Sequence, residues 1–391
     1  IPADKVDGIY LGELDANRLA HMDVLVVSPG LDPKHPAIRF ALAQGAHLIG
    51  DVELFALQNQ KPVLAITGAN GKSTVTSLTA HMLQCSGLQA VAAGNIGLPI
   101  LDALQSDAEV FVLELSSFQL DTTHSLQSKA ACILNVTEDH MDRYSDMDAY
   151  RKAKLRLYHQ SRAIIFNRDD ALTIPTEPMN QNSFGLAPPE GDEWGICDSK
   201  IYHGHSEIMP ITEVSLIGSH NHANLLAAMA LVYAVGVDKQ VMAKVARTFT
   251  GLSHRCEVVG VKGGVTYVND SKATNVGATV AALDGLSDHL GDIILIAGGD
   301  GKGADFSPLA EPLTKVTHLI TLGRDGNKIA ALKEGAIKVD SMAAAVAKAA
   351  QLATSGDIVL LSPACASLDM YSNFMARGDD FRSQVEQLDG E

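Results

Sequence analysis

Residues 63–74 read VLAITGANGKST and combine the groups that bind a chain of phosphates. The two glycines after the apolar run let several backbone N–H groups converge on one anion, and a helix N-terminus follows. Lys72 adds a full positive charge, and Ser73 places a hydroxyl where phosphate-binding loops contact magnesium. The common loop form has glycine where this chain has Ile66, so the loop is a variant. An ordinary strand-to-helix turn is the alternative, but strand, glycines, Lys-Ser and helix in this order favour a phosphate site.

Two further residues are candidate metal contacts. Glu114 lies at the end of the apolar run FVLEL, where an acid is costly to bury unless something neutralises it. It could cap the turn that follows, but the phosphate loop requires a metal, and we therefore predict a magnesium ligand. His140 lies in NVTEDHMDR, where metal or phosphate contact and a solvated structural role remain equally open.

Charged residues also stand in other segments. Lys154 belongs to the short basic helix YRKAKLRLY, which the residues alone favour as a solvated face. Asp270 and Lys302 lie in glycine-rich or small-residue loops after predicted strands, where charged side chains are good ligand contacts. Arg255 could hold phosphate or pair with a carboxylate. Cys365 is not predicted as a nucleophile, because no histidine follows it in the chain.

Strand and helix patterns alternate along most of the chain, which predicts parallel sheets covered on both faces. Apolar runs predict the central strands, which are 63–66, 90–93, 109–115, 130–136 and 162–167. A second set of runs predicts the C-terminal strands, which are 265–268, 293–297, 319–322 and 358–361. Residues 173–210 have weaker periodicity and are predicted to form irregular hairpins. Near the start, 22–28 and 47–49 are predicted strands on either side of a helix at 36–44.

Composition bounds the class of protein. A chain of 391 residues exceeds one ordinary hydrophobic core, so two or three domains are expected. The formal charge of −16 argues against nucleic acid or an anionic membrane as a partner. Five scattered cysteines without a C-x-x-C pair are typical of a reducing cytoplasm. The chain opens without methionine and without a signal-peptide pattern, and we expect that part of the natural N-terminus is absent.

Ten segments, taken together and in this order, resemble the Mur ligase family. They are ITGANGKST, GNIGLP, LELSSFQL, NVTEDHMDRY, the Lys154 helix, GSHNHAN, LSHRCEVV, NDSKATN, GGDGKGADF and SPACASLD. Within that family, SSFQL, NDSKATN and SPACASLD point to the members that add D-glutamate.

The resemblance implies an α/β fold of three domains, with a central P-loop-type parallel sheet flanked by a partial N-terminal domain and a C-terminal Rossmann-like domain. The expected ranges are 1–50 for binding the UDP-linked substrate, 51–251 for ATP and 252–391 for the amino acid. The first domain of the family opens with a strand and a glycine-rich turn that this chain lacks.

The resemblance also implies site residues. ATP would be bound by Gly68, Asn70, Gly71, Lys72, Ser73, Thr74, Asn221, Arg255 and Asp270. The catalytic residues would be Lys72, Glu114, His140 and Lys154, and two magnesium ions would be held with Ser73, Glu114, His140 and Lys154. The family carbamylates the lysine that matches Lys154. Substrate contacts would be Ser28 and Gly30 at the uridine diphosphate, Asn95, Ser116 and Gln119 at muramoyl-alanine, and Lys302, Thr274, Ser367, Leu368 and Phe374 around D-glutamate.

The implied activity is ATP-dependent joining of D-glutamate to UDP-N-acetylmuramoyl-L-alanine through an acyl phosphate, in peptidoglycan precursor synthesis in the bacterial cytoplasm. We expect small-molecule partners only and a monomer. Two alternatives stay open. One is a ligase that adds glutamate to folate, and the other is a plain kinase or a nucleotide-gated binding module.

Overall fold

The computed structural model describes residues 7–139, 141, 143–177, 180–286 and 289–388. Within these ranges the chain forms three separate β-sheets of two, nine and six strands, which follow one another along the sequence. Most neighbouring strands are parallel, and helices connect them, as the alternating pattern predicts.

The first sheet pairs two short parallel strands. Its elements are α1 (Ala16–Leu19), β1 (Val24–Val26), α2 (Pro36–Ala43) and β2 (His47–Ile49). The observed β1 is shorter than the predicted run 22–28, whereas β2 matches its prediction. The helix α2 begins with Pro36, whose fixed φ suits the first helical position and whose missing N–H costs nothing there.

The second sheet carries the phosphate loop. Its strands are β3 (Val63–Thr67), β4 (Ala90–Gly94), β5 (Val110–Glu114), β6 (Ala130–Ile133), β7 (Ile164–Asn167), β8 (Gln181–Phe184), β9 (Trp194–Cys197), β10 (Lys200–His203) and β11 (Ser206–Pro210). Their spatial order is β11-β10-β9-β8-β7-β6-β3-β5-β4. The predicted central strands are therefore present, each within a few residues of its expected bounds.

Helices cover both faces of this sheet. They are α3 (Asp51–Gln58), α4 (Lys72–Cys85), α5 (Ile100–Ala103), α6 (Ser117–Asp121), α7 (Met147–His159), α8 (Ser219–Tyr233) and α9 (Lys239–Ala246). Successive residues of a strand point to opposite faces, so Leu64 and Ile66 pack in one core while Val63 and Ala65 pack in the other. A strand buried on both faces needs apolar residues throughout, which explains why β3 reads as a continuous apolar run.

The segment predicted as irregular hairpins is more regular than its pattern suggested. Strands β9, β10 and β11 form antiparallel pairs, and β8 joins them to the parallel part of the sheet. Trp194 anchors this extension, since its ring is buried against those of His203 and Tyr233. The extension thus packs on α8 rather than forming a separate loop region.

The third sheet is built around four parallel strands. Its strands are β12 (Glu257–Lys262), β13 (Val265–Asn269), β14 (Ile293–Gly298), β15 (His318–Leu322), β16 (Ile337–Lys338) and β17 (Ile358–Leu361), in the order β12-β13-β17-β14-β15-β16. Its helices are α10 (Val276–Gly285), α11 (Gly326–Ala330), α12 (Met342–Leu352) and α13 (Phe374–Glu386). The four predicted strands are present. The antiparallel edge strand β12 and the two-residue β16 lie outside the prediction.

The loops after β13, β14, β15 and β17 meet at one edge of this sheet. Asp300 and Ala366 exchange backbone hydrogen bonds of 2.9 Å, and the Arg324 N–H donates to Asp369 Oδ2 at 2.8 Å. Ser362 Oγ donates to Asp270 Oδ2 at 2.8 Å. Since parallel strands present their carboxyl ends at the same edge, the four polar loops form one surface. Separately, none of the described helices combines the length and the apolar character needed to span a membrane.

Candidate functional site

A cavity of about 230 Å³ lies between the phosphate loop and the third sheet. The second sheet and its helices contribute predicted ATP contacts to its wall, namely Asn70, Gly71, Thr74 and Asn221. The third sheet contributes Arg255 and Asp270. Residues that are far apart in the sequence, but were predicted to bind the same nucleotide, therefore surround one space.

The phosphate loop has the backbone that its glycines predict. Gly71 adopts a φ of +82° immediately before α4, and a Cβ there would collide with the side-chain oxygen of Asn224. Lys72 is the first residue of α4, so its charge lies at the positive end of the helix. The Lys72 ammonium donates to the carbonyl oxygens of Gly68 and Ala69 at 2.9 and 2.8 Å.

Lys154 lies beside Lys72 and is not on a solvated face. Its side chain is buried, with 1% exposed, and its Nζ donates to the Gly68 carbonyl at 2.8 Å. Burial and the neighbouring Lys72 charge hold the pKa of Lys154 well below its usual value. The interpretation that the residues alone favoured is therefore wrong, because α7 turns this lysine toward the phosphate loop.

Glu114 is the buried carboxylate that best fits a cation. It is 2% exposed at the end of β5, and its Oε1 accepts a hydrogen bond from the Asn95 amide at 3.0 Å. Its Oε2 is buried, and among the described residues it has no hydrogen-bond partner. An unpaired carboxylate oxygen is costly in a protein interior, so a hard cation would satisfy it.

No group of three or more His, Cys, Asp or Glu side chains in the described ranges is arranged to hold a metal ion. His140, the other predicted metal ligand of this type, lies outside the described residues. The fit to a cation therefore rests on Glu114 and on Ser73, whose hydroxyl lies at the start of α4.

Arg255 links the third sheet to the phosphate loop. Its Nη2 donates to Ser73 Oγ at 2.6 Å, across 182 positions of sequence. Burial lowers the pKa of Arg255, while the charges of Glu114 and Asp270 oppose that shift. The arginine interpreted as a possible carboxylate partner thus contacts a phosphate-loop hydroxyl directly.

Asp270 is fixed by neutral donors. It accepts hydrogen bonds from Ser362 Oγ at 2.8 Å and from the Cys256 N–H at 3.2 Å. Burial raises the pKa of Asp270 to about 7, and these hydrogen bonds and Arg255 only partly offset the effect of burial. The Asp270 carboxyl group therefore lines the cavity and takes up a proton more readily than an ordinary aspartate does.

The predicted muramoyl contacts gather at the ends of β4 and β5. Asn95 contacts Glu114, and Ser116 caps α6 in a reciprocal capping box with Gln119. Both polar ends of the Gln119 side chain are engaged, since its Nε2 also donates to Asp51 Oδ2 at 3.2 Å. Gln119 therefore links Ser116 to Asp51 at this edge of the sheet.

The remaining predicted substrate contacts lie away from the cavity wall. Ser28 and Gly30 are exposed in the turn after β1. At the edge of the third sheet, Lys302 is exposed with a φ of +51°, Ser367 is buried and Leu368 is 66% exposed. Apart from Ser367, these residues are therefore open to solvent.

Phe374 and Thr274 flank the same edge. Phe374 begins α13, and the Lys272 ammonium lies 4.3 Å from the centre of its ring. Thr274 donates its N–H to the Lys272 carbonyl at 2.8 Å. Burial lowers the pKa of Lys272 to about 8, with further contributions from Arg255 and Lys72. Cys365 is buried and its pKa is raised to about 12, which agrees with its exclusion as a nucleophile.

Asn135 is a site residue that the sequence reasoning missed. Its Oδ1 accepts from the N–H groups of Ala69 and Asn70 at 3.1 and 2.8 Å, and its Nδ2 donates to the Asn70 carbonyl at 3.1 Å. The side chain thus clamps the tip of the phosphate loop from the end of β6. The only available signal was a polar residue inside the apolar run 130–136, whose observed strand β6 ends at Ile133.

Replacing Asn135 by alanine (N135A) is expected to raise the KM for ATP by about tenfold, because the loop loses three hydrogen bonds that hold its tip. The free energy of unfolding should fall by about 1–3 kcal/mol. Steady-state kinetics and thermal unfolding measure the two effects. Asn59 provides the matched control, since its side chain also donates to and accepts from backbone groups, both of Lys61, but lies outside the cavity wall. An unchanged KM for ATP in N135A would contradict the clamp.

Comparison with known proteins adds family evidence to this geometry. Three family models match the chain: the Mur ligase MurD-like N-terminal domain at residues 2–50, the Mur ligase middle domain at 66–232 and the Mur ligase glutamate ligase domain at 254–365.

Curated relatives match over nearly the whole chain. A protein of Shewanella oneidensis is 82% identical over 386 residues, which cover 98% of this chain and 88% of that protein. One of Pseudomonas syringae pv. tomato is 48% identical over 391 residues, which cover 97% and 87%. Both are named UDP-N-acetylmuramoylalanine–D-glutamate ligase.

A solved structure supports the same fold. The MurF ligase of Thermotoga maritima, determined in complex with ADP, superposes with a TM-score of 0.66 at 17% identity, covering 96% of this chain and 97% of that one. By its family models and its close relatives, the chain belongs to the Mur ligase family.

Proposed function

We propose that this protein is the ATP-dependent ligase that joins D-glutamate to UDP-N-acetylmuramoyl-L-alanine, with release of ADP and phosphate. The observation that carries the proposal is the 2.6 Å contact between Arg255 and Ser73, because it brings the third sheet to the phosphate loop around one cavity. The names of the relatives at up to 82% identity support the choice of substrates.

In the first step, the alanine carboxylate of the nucleotide substrate attacks the γ-phosphorus of ATP, which gives an acyl phosphate and ADP. Charge accumulates on the transferring phosphoryl group, and catalysis requires fixed positive groups around it. Lys72, at the N-terminus of α4, and Arg255, which reaches Ser73, are two cations that this chain places at the phosphate loop.

In the second step, the amine of D-glutamate attacks the acyl carbon and phosphate leaves. Water would hydrolyse the same intermediate, so the two sheets must exclude solvent while it exists. We propose that D-glutamate is held at the edge of the third sheet by Lys302, Thr274, Ser367, Leu368 and Phe374. The convergence of the loops after β13, β14 and β17 at that edge supports this placement.

We assign the other end of the acceptor to the first two sheets. Ser28 and Gly30 would contact the uridine diphosphate, and Asn95, Ser116 and Gln119 would border muramoyl-alanine. In this arrangement the substrate carboxylate to be activated would lie near Glu114, because Asn95, a proposed muramoyl contact, donates a hydrogen bond to Glu114.

We propose that this site binds two magnesium ions. We propose Glu114 and Ser73 as ligands, with His140 and Lys154 as further candidates. When bound, magnesium would neutralise charge on the phosphates of ATP. The buried, unpaired Oε2 of Glu114 is the structural support for this assignment.

Lys154 would serve as a metal ligand only after losing its positive charge. We propose that its amine attacks carbon dioxide, forming an N–C bond and losing a proton, to give a carbamate. The lowered pKa of Lys154 supports this step, since the neutral amine is the nucleophile. The product would place a negative charge beside Lys72.

We propose domain ranges of 1–50, 51–251 and 252–391, and each of the three sheets falls inside one of them. We further propose a monomer that works in the cytoplasm on small molecules, without nucleic-acid or membrane partners. The net charge of −16 supports the absence of nucleic-acid and membrane partners, and the scattered cysteines support the cytoplasm.

Phosphate release in the presence of ATP and magnesium tests the proposal. The rate should depend on both UDP-N-acetylmuramoyl-L-alanine and D-glutamate, and L-glutamate, glycine and lysine should not replace D-glutamate. Stimulation by a pteroate instead of the muramoyl nucleotide would favour a folate ligase. Hydrolysis of ATP that is indifferent to any amino acid would favour a kinase or a nucleotide-gated module.

A further inference from the structure

Arg143 lies where three segments that border the proposed acceptor site meet. The first segment is the turn 28–34, which contains Ser28 and Gly30. The second is α6, which Ser116 caps, and the third is the stretch 143–146 before α7, which carries Arg143 itself. Its side chain is 13% exposed, so most of it is enclosed by these segments.

Two nitrogens of the guanidinium face the turn 28–34. Its Nη2 donates to the Leu31 carbonyl at 2.9 Å, and its Nε lies 3.6 Å from Asp32 Oδ1. The same turn also donates a hydrogen bond to Arg143, from Lys34 Nζ to the Arg143 carbonyl at 3.3 Å. A backbone hydrogen bond within the turn holds its shape, since the Leu31 N–H donates to the Ser28 carbonyl at 3.0 Å.

The flat face of the guanidinium lies over the ring of Phe118 in α6. Its central carbon lies 4.5 Å from the centre of the Phe118 ring, a cation–π arrangement. Phe118 stacks in turn on Tyr144, whose hydroxyl donates to Asp121 at the end of α6 at 3.0 Å. One planar side chain therefore joins α6 to the turn, which a flexible ammonium could not do with the same geometry.

We infer that Arg143 is a positioning residue that sets the distance between the uridine-diphosphate end and the muramoyl end of the acceptor site. This inference rests on the proposed function, because it assigns those two ends to the turn 28–34 and to α6. Arg143 acts through Leu31, Asp32 and Phe118. A misplaced turn should weaken binding of the whole nucleotide substrate while leaving the phosphate loop intact.

The test uses R143M, R143K, F118L and the double variant F118L/R143M. In R143M, the KM for UDP-N-acetylmuramoyl-L-alanine should rise by about tenfold, since a charge-assisted hydrogen bond and a cation–π contact are lost. The KM for ATP should stay within about twofold of the wild type. Calorimetry with the muramoyl nucleotide alone should show the same loss of affinity, and R143K should restore only part of it.

The double variant should lose no more affinity for the muramoyl nucleotide than R143M alone, because the effects of substituting residues that act as one unit are not additive. Arg151 provides the matched control, since its guanidinium likewise donates to backbone carbonyls, those of Leu172 and Ile174 at 2.8 and 3.0 Å, away from the three segments. R151M should leave both KM values unchanged. Thermal unfolding identifies any variant that fails to fold, and R143K and F118L then carry the comparison.

An active wild type combined with unchanged affinity for the muramoyl nucleotide in R143M, or with fully additive effects of F118L and R143M, overturns the inference alone. A wild type that shows no turnover dependent on the muramoyl nucleotide and D-glutamate overturns the proposed function, and the inference with it.

Discussion

Replacing Lys72 by alanine (K72A) is expected to lower kcat by about a thousandfold or more, with little change in stability. The ammonium lies at the N-terminus of α4 within reach of the loop carbonyls, and no other lysine occupies the first turn of that helix. Burial lowers the pKa of Lys72, while the charges of Glu114 and Asp139 oppose that shift. Removing a partly desolvated cation should therefore remove transition-state stabilisation without weakening the fold.

Phosphate-release kinetics and thermal unfolding measure the two parts of this prediction. Lys239 gives the control, because it too is the first residue of a helix, α9, but lies outside the cavity wall. K239A should keep wild-type kcat. Activity within about tenfold of the wild type in K72A would count against the phosphate-site assignment.

Replacing Lys154 by alanine (K154A) should lower kcat by about a hundredfold or more, and added formate or acetate should restore part of it. The reason is that a small carboxylate can enter the space left by the side chain and supply the negative charge proposed for the carbamate. The folded structure should persist, because the Gly68 carbonyl keeps its bond from Lys72.

Lys152 is the matched control for this experiment. It lies on the same helix, but it is 72% exposed and pairs with Asp148 at 2.6 Å. K152A should retain activity and should not respond to carboxylates. If K154A is as active as the wild type, or if no small carboxylate raises its rate, then Lys154 does not carry the proposed charge.

The parts of the fold that the sequence predicted are those with a strong local signal. Strands buried on both faces, such as β3, β14 and β17, are continuous apolar runs, and all were identified. The edge strand β12 was missed because its residues are mostly half-exposed and it carries a bulge near Gly260. The extension β8 to β11 was predicted only as irregular hairpins, because its regularity comes from packing on α8, around Trp194.

In the candidate site, too, the sequence predicted the parts that have a local pattern and missed those that depend on distant contacts. Glycines and a lysine at fixed spacing identified the phosphate loop, since the backbone there depends on residue type. Asn135 escaped notice because it clamps that loop from a strand end 65 positions away, and such a contact leaves no pattern in the chain. Arg377 likewise joins two distant loops, by donating to the carbonyls of Ser271 and Cys365 at 2.7 and 3.1 Å.

Lys154 shows why a local pattern can mislead. A basic helix in an acidic chain is usually solvated, and here Lys152 and Lys154 share a helix while one is exposed and the other is buried. Two positions of sequence turn a side chain by more than half of the helix circumference. Only the direction of packing of α7 on the phosphate loop separates the two lysines.

The most direct test of the account follows the fate of a carboxylate oxygen. UDP-N-acetylmuramoyl-L-alanine labelled with oxygen-18 in its carboxylate is turned over with ATP, magnesium and D-glutamate, and the released phosphate is analysed by mass spectrometry. Transfer of the carboxylate oxygen to ATP phosphorus predicts one labelled oxygen in each phosphate. Phosphate that carries no label would show that the carboxylate never attacks the γ-phosphorus, and it would contradict the acyl-phosphate mechanism.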